Sequence, residues 1–152
     1  MAILLIMNPK ELVYEVAGEE VQLIKNEITF LHERELFERH VYFQQTGKLS
    51  GDVVELLKQL NIQEEEHSYL LEIMLKKADL PVKEFKQEEL VKIVDYPLDA
   101  AIKYDIEQEK ISAEGYTKAI DKSSGKIKQL LEHILQEEFE HIGLLEKYLE
   151  EV

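Results

Sequence analysis

A chain of 152 residues, 45% apolar and 33% charged, has the length of one domain and enough apolar content for a core. Its net charge of −14 argues against nucleic acid and an anionic membrane as partners, both of which need a basic surface, and suits the attraction of cations. The absence of cysteine excludes disulfides and thiolate-held metal, and only six glycines and three prolines point to few turns and much helix.

The opening Met1-Ala-Ile-Leu-Leu-Ile-Met7 is too short to span a bilayer and lacks the basic start and cleavage site of a signal peptide. A cytoplasmic location is the default expectation. Asn8-Pro9-Lys10-Glu11 reads as a helix start, with a capping side chain, proline at the first helical position and glutamate at the third. That helix runs through Gly18, or breaks there and restarts at about Glu19. The long helix that follows carries Val21, Ile24, Ile28, Leu31, Glu35 and Tyr42 on one face and stops near Thr46-Gly47. A turn through Lys48 to Gly51 leads into a second long helix with Val53, Leu57, Leu60, Leu71 and Met74 inward. Asp79-Leu80-Pro81 breaks that helix, Gln87 to Val94 forms a short one, and Asp95-Tyr96-Pro97 breaks again. A connection this long suggests a crossover rather than a tight hairpin. The third long helix starts near Leu98-Asp99 and places Ile102, Ile106, Glu109, Ala113, Tyr116 and Ile120 on one side. Asp121 to Gly125 turns the chain, and the fourth runs nearly to Val152.

In that last helix the apolar row Ile127, Leu130, Ile134, Leu145, Tyr148 is interrupted by Glu138 and His141. Burying an unpaired carboxylate costs several kcal/mol, so something must compensate. Glu64 and His67 interrupt the second helix in the same way. With 26 glutamates and five histidines in the chain, roughly one Glu-x-x-His pair arises by accident, so context decides. Register supplies it. Glu35, Tyr42, Gly51, Glu64 and His67 recur 74 residues later as Glu109, Tyr116, Gly125, Glu138 and His141, and six further identities keep the offset, among them Ile28/Ile102 and Leu57/Leu131. The chain reads as two helical hairpins of one design, at about 19–77 and 97–152. Within each, roughly 12 residues up and 12 down, at about 1.5 Å each, bring the lone glutamate and the Glu-x-x-His glutamate to one height. Face-to-face packing then gathers four glutamates and two histidines into one layer, whose four negative charges two divalent cations neutralise. Carboxylates with two imidazoles suit iron or manganese.

On Glu35…Tyr42, Glu64-Glu-Glu-His67, Glu109…Tyr116 and Glu138-Phe-Glu-His141 the sequence resembles the ferritin-like proteins with two-iron sites, particularly the iron-binding domain of rubrerythrins. The segment EEFEHIGLLEKYLEE is similar to the corresponding helix of bacterioferritins. The resemblance covers about Glu19 to Val152 apart from the connection. It implies an all-α, up-down-down-up four-helix bundle with a crossover between the second and third long helices. By it, Glu64 and Glu138 bridge two iron ions, His67 and His141 bind one each, Glu35 and Glu109 are terminal ligands, and a homodimer is expected. The chain also departs from the pattern. It has no cysteines for a rubredoxin-like iron, so electrons are expected from an external donor. Only eleven residues follow His141, against a cage-forming fifth helix, and Glu65 stands where bacterioferritins have their haem methionine, so no haem is expected. Ser112 stands where rubrerythrins have an extra ligand glutamate. The equivalent place in the first half is Glu38, either a seventh, movable ligand or a solvated side chain beside Arg34 or Arg39.

Tyr42 and Tyr116 are expected in the core, hydrogen-bonded to a ligand or water, with redox participation as the lesser role. His32, His40 and His133 read as surface or rim residues; Glu65, Glu66, Glu137 and Glu140 as solvated; Leu70, Leu71, Leu144 and Leu145 as core. The function expected is an iron-dependent oxidoreductase that reduces hydrogen peroxide or O₂ as Fe(II) is oxidised. The alternatives are a non-catalytic iron-binding or iron-buffering protein and a metal-free structural helical module.

Overall fold

The computed structural model describes residues 8–93 and 97–152. The opening Met1–Met7, Val94 and the Asp95-Tyr96 part of the expected break lie outside the described residues. Asn8 accepts a hydrogen bond from the Lys10 N–H at 2.9 Å and starts α1 (Pro9–Glu15), which buries Leu12 and Val13. The chain breaks at Val16-Ala17 and restarts at once as α2 (Gly18–Leu23), where the Glu20 carboxylate accepts the Ala17 N–H. Gly18 is required by its neighbour, because a Cβ here would lie 2.5 Å from the Lys77 carbonyl oxygen.

Sequence periodicity predicts one helix from Val21 to Tyr42, whereas the structure interrupts it at Ile24 (φ −126°, ψ 36°) before α3 (Lys25–Lys48). The kink gives up regular helix geometry for one residue and keeps both Val21 and Ile24 buried against α1 and its surroundings. Gly51, at φ 91°, turns the chain into α4 (Asp52–Lys77). Helix α4 ends in a Schellman arrangement: Asp79 adopts φ 55°, its N–H bonds Lys76 O, and the Leu80 N–H reaches back to Leu75 O at 2.9 Å.

The expected short helix at Gln87 to Val94 is not formed over the described residues 87–93, where a turn at Gln87-Glu88 gives way to irregular chain. The reason is a tertiary partner. The Gln44 amide bonds both backbone groups of Val91, accepting from its N–H at 2.7 Å and donating to its carbonyl at 2.9 Å, as a neighbouring strand would. Phe85 meanwhile stacks on His40 and lies under the Arg39 guanidinium, so the crossover is strapped along α3.

The chain re-enters helix as α5 (Leu98–Asp121) and, after Gly125 at φ 72°, α6 (Gly125–Glu151). Lateral contacts give the directions. Glu27 meets Lys122, Glu35 meets Tyr116 and Gln45 meets Asp105, so α3 and α5 are antiparallel. Asp52 meets Tyr148 and Gln63 meets His141, so α4 and α6 are antiparallel as well. With α3/α4 and α5/α6 each a hairpin, the long helices run up, down, down, up. Helices α1 and α2 close one end against α4 and α6.

The interior consists of two apolar clusters. One lies toward α1 and contains Leu12, Val13, Ile28, Leu71, Met74 and Leu130; the other, at the far end, contains Tyr42, Leu57, Leu60, Ile102 and Leu145. Leu144, expected in the core, is 47% exposed, whereas its repeat partner Leu70 is buried in the cluster that includes α1. Among the described residues α1 has no counterpart in the second half, and Leu144 is left about half open to solvent. No described helix is long and apolar enough to cross a membrane.

Candidate metal centre

Between the two apolar clusters lies a polar layer in which Glu35, Glu64, His67, Glu109, Glu138 and His141 are all buried, two helices from each hairpin supplying them. His67 Nδ1 stands 2.9 Å from Glu138 Oε1 and 3.7 Å from Glu35 Oε2. His141 Nδ1 stands 2.8 Å from Glu64 Oε1 and 3.5 Å from Glu109 Oε2. Each imidazole thus faces its own hairpin's lone glutamate and the other hairpin's Glu-x-x-His glutamate. The two rings are nearly parallel across the centre, 6.0 Å apart.

The donors fall into two groups, Glu35, Glu64, His67 and Glu138, and Glu64, Glu109, Glu138 and His141, each offering ligand atoms within 4.8 Å of one another. Glu64 and Glu138 belong to both. The tyrosines tie the hairpins together crosswise: Tyr42 donates to Glu109 Oε1 at 2.5 Å and Tyr116 to Glu35 Oε1 at 2.6 Å. That leaves Glu35 Oε2 and Glu109 Oε2, the oxygens that face the imidazoles, buried with no hydrogen-bond partner among the described residues. Both oxygens of Glu64, Glu138 Oε2 and His141 Nδ1 are in the same state. Six orphaned donor atoms on one locus are what a cation would satisfy. His141 Nδ1 and Glu64 Oε1 are close but not aligned as a hydrogen bond, which is the relation of two ligands to a shared ion.

Electrostatics agree with that fit. Burial, followed by repulsion from Glu109 and neighbouring carboxylates, pushes Glu64 and Glu138 well above the usual carboxylate range. Burial also works against Glu35, but its contact with Glu64, the His67 charge and bond, and the Tyr116 hydroxyl outweigh it and hold the carboxyl at about 2. Burial would lower His67, yet Glu35 and Glu137 raise it to about 10. Without a metal, the layer distributes protons to keep its charge tolerable.

Several neighbours differ from the sequence expectation. Of the two alternatives for Glu38 the solvated one fails: it is 1% exposed, its Oε1 accepts from Ser112 Oγ at 2.8 Å with Arg34 Nη2 at 3.6 Å, and its Oε2 has no hydrogen-bond partner among the described residues. Arg34 also bonds Ser112 and Gln108, while Arg39 turns away to Ser68. His32 and His40 are buried, 3% and 4% exposed, rather than on the rim, because α4 and the crossover cover α3 there: His40 stacks on Phe85 at 4.3 Å and faces Glu89. His133 is exposed. Glu65 and Glu140 are solvated, but Glu137 is half-buried between His133 and His67. The buried pair Gln45–Asp105, bonded at 2.8 Å one turn from Tyr42 and Glu109, escaped the sequence reading. An Asp at an inward position four residues before Glu109 was the available signal.

A family model described as rubrerythrin matches residues 31–149. The chain belongs to the rubrerythrin family. The match takes in all six residues of the polar layer, and the rubrerythrins are ferritin-like di-iron carboxylate proteins, which implies iron as the metal. Comparison with curated proteins and with solved structures gave no match.

Proposed function

We propose that the protein is a di-iron oxidoreductase that reduces hydrogen peroxide, or O₂, as Fe(II) is oxidised. The observation that carries this reading is the pair of overlapping donor groups sharing Glu64 and Glu138. In it, Glu64 and Glu138 would serve both ions, Glu35 with His67 would hold one, and Glu109 with His141 would hold the other. When bound, a ferrous pair supplies the two electrons that, with two protons, convert one peroxide to two waters.

The chain's own residues do the rest. Four carboxylates balance the charge of two divalent cations. Tyr42 and Tyr116 each fix one oxygen of a terminal glutamate and leave the other free to face the centre. The apolar clusters on both sides exclude water. Glu38 would be a seventh, movable ligand: Ser112 and Arg34 hold its Oε1, and its Oε2 has no hydrogen-bond partner among the described residues; a metal-bound structure with that carboxylate turned to solvent rejects this role.

The test is metal content after iron-replete expression, then anaerobic mixing of the reduced protein with peroxide or with O₂. Two irons per chain, near-ultraviolet absorption of an oxo-bridged ferric pair, and faster oxidation by peroxide than by O₂ support a peroxidase. The reverse order supports a ferroxidase. Reversible iron release with no catalytic consumption of either oxidant selects an iron buffer instead.

A further inference from the structure

Ligation through Nδ1 leaves each imidazole with its proton on Nε2, and that N–H needs an acceptor behind it. The two halves offer different acceptors. Behind His141 stands the side-chain amide of Gln63, whose Oε1 accepts from Nε2. Behind His67 stands a carboxylate, Glu137 Oε1, 3.5 Å from an Nε2 that has no hydrogen-bond partner among the described residues. The same Glu137 oxygen meets His133 Nε2, one turn earlier on α6, at 2.9 Å. Gln63 and Glu137 occupy equivalent places in the 74-residue repeat, as do Gln59 and His133. Glutamine and glutamate have nearly the same shape, so the halves differ here in charge and in the closeness of the contact.

We infer that Glu137, acting through His67, makes the metal position of the first hairpin hold its ion more tightly than the position served by His141. The inference rests on the two-ion reading above. A carboxylate 3.5 Å behind the ring polarises the Nε2–H through its charge and adds electron density at Nδ1. Partners of this kind change metal affinity by about 10–100-fold. The neutral amide of Gln63 orients His141 without that gain, which leaves the second position the more exchangeable. Glu137 is therefore a positioning residue. Glu38 also breaks the repeat, but substitutions at 137 and 63 leave it in place, so its contribution is common to all the proteins compared.

The experiment is an anaerobic titration of the metal-free full chain with Fe(II). A parallel Co(II) titration follows the shifted imidazole N–H proton resonances. The wild type is expected to bind two ions in two separate steps. E137Q weakens the first step by about 10-fold or more and moves one N–H resonance only, whereas Q63E tightens the second step and moves the other. Constants unchanged in E137Q, or both steps weakened equally as a merely structural role would do, overturn the inference. A wild type that takes up no metal overturns the two-ion reading and the inference with it. Two ions bound in steps indifferent to residues 63 and 137 overturn the inference alone.

Discussion

Tyr116 shows how much rests on single side chains in the polar layer. Its hydroxyl is the partner of Glu35 Oε1, and both side chains are fully shut off from the surface. Tyr116→Phe should cost the metal-free protein about 1–3 kcal/mol in urea unfolding, the penalty for a buried acceptor left unpaired. Glu64 should behave in the opposite way. Its carboxyl is crowded by Glu109, Glu138, Glu35 and Glu38, so Glu64→Gln removes repulsion. The variant should lose both ions, measured by elemental analysis, yet unfold at a higher temperature than metal-free wild type near pH 8. A variant less stable than metal-free wild type would show that the carboxylates are not in mutual repulsion. These six positions were legible in the sequence because charge in an apolar row is conspicuous and the 74-residue register repeats it. His32, His40 and Glu137 were not, since their burial comes from elements distant in sequence.

At the scale of elements, the long helices and their ends follow from periodicity, glycine and proline. The two departures, the kink at Ile24 and the non-helical crossover, follow from tertiary contacts. Residues 87–93 have helix-forming composition, but Gln44, 47 residues away, bonds both backbone groups of Val91. Local preference gives way to a partner that a linear reading does not place. Gly18 is another such contact. Gly18→Ala would drive a Cβ into the Lys77 carbonyl oxygen, which is backbone and cannot swing aside. We expect a loss of about 1–3 kcal/mol in denaturant unfolding, with α2 lifted from the end of α4. Hydrogen exchange should rise in α2 and the last turn of α4 and remain unchanged near Glu138.

For the whole molecule, the polar layer sets how stability depends on pH once metal is removed. Glu38, Glu64 and Glu138 titrate above their ordinary value of 4.5 in the folded state. Their stabilisation is therefore complete below that value and is lost as pH rises. His67, raised from 6.5 to about 10, also loses its contribution on the alkaline side. Glu35, held at about 2, contributes above 4.5 and loses that contribution as pH falls toward 2. The metal-free protein should be most stable near about pH 5 and its Tm should fall steadily toward about pH 9. Iron should flatten that slope and release protons on binding, which unbuffered calorimetry would detect. A metal-free Tm that climbs between those values would contradict the charge distribution described.

The crossed tyrosines carry a consequence for descent. Because each hairpin's phenol clasps the other's carboxylate, neither can complete a centre alone. A chain of half this length could have built one only as a symmetric pair of copies. In a single chain each half is free to change independently, and the unmatched residues at 38 and 112, and at 63 and 137, are among the places beside the centre where the halves differ.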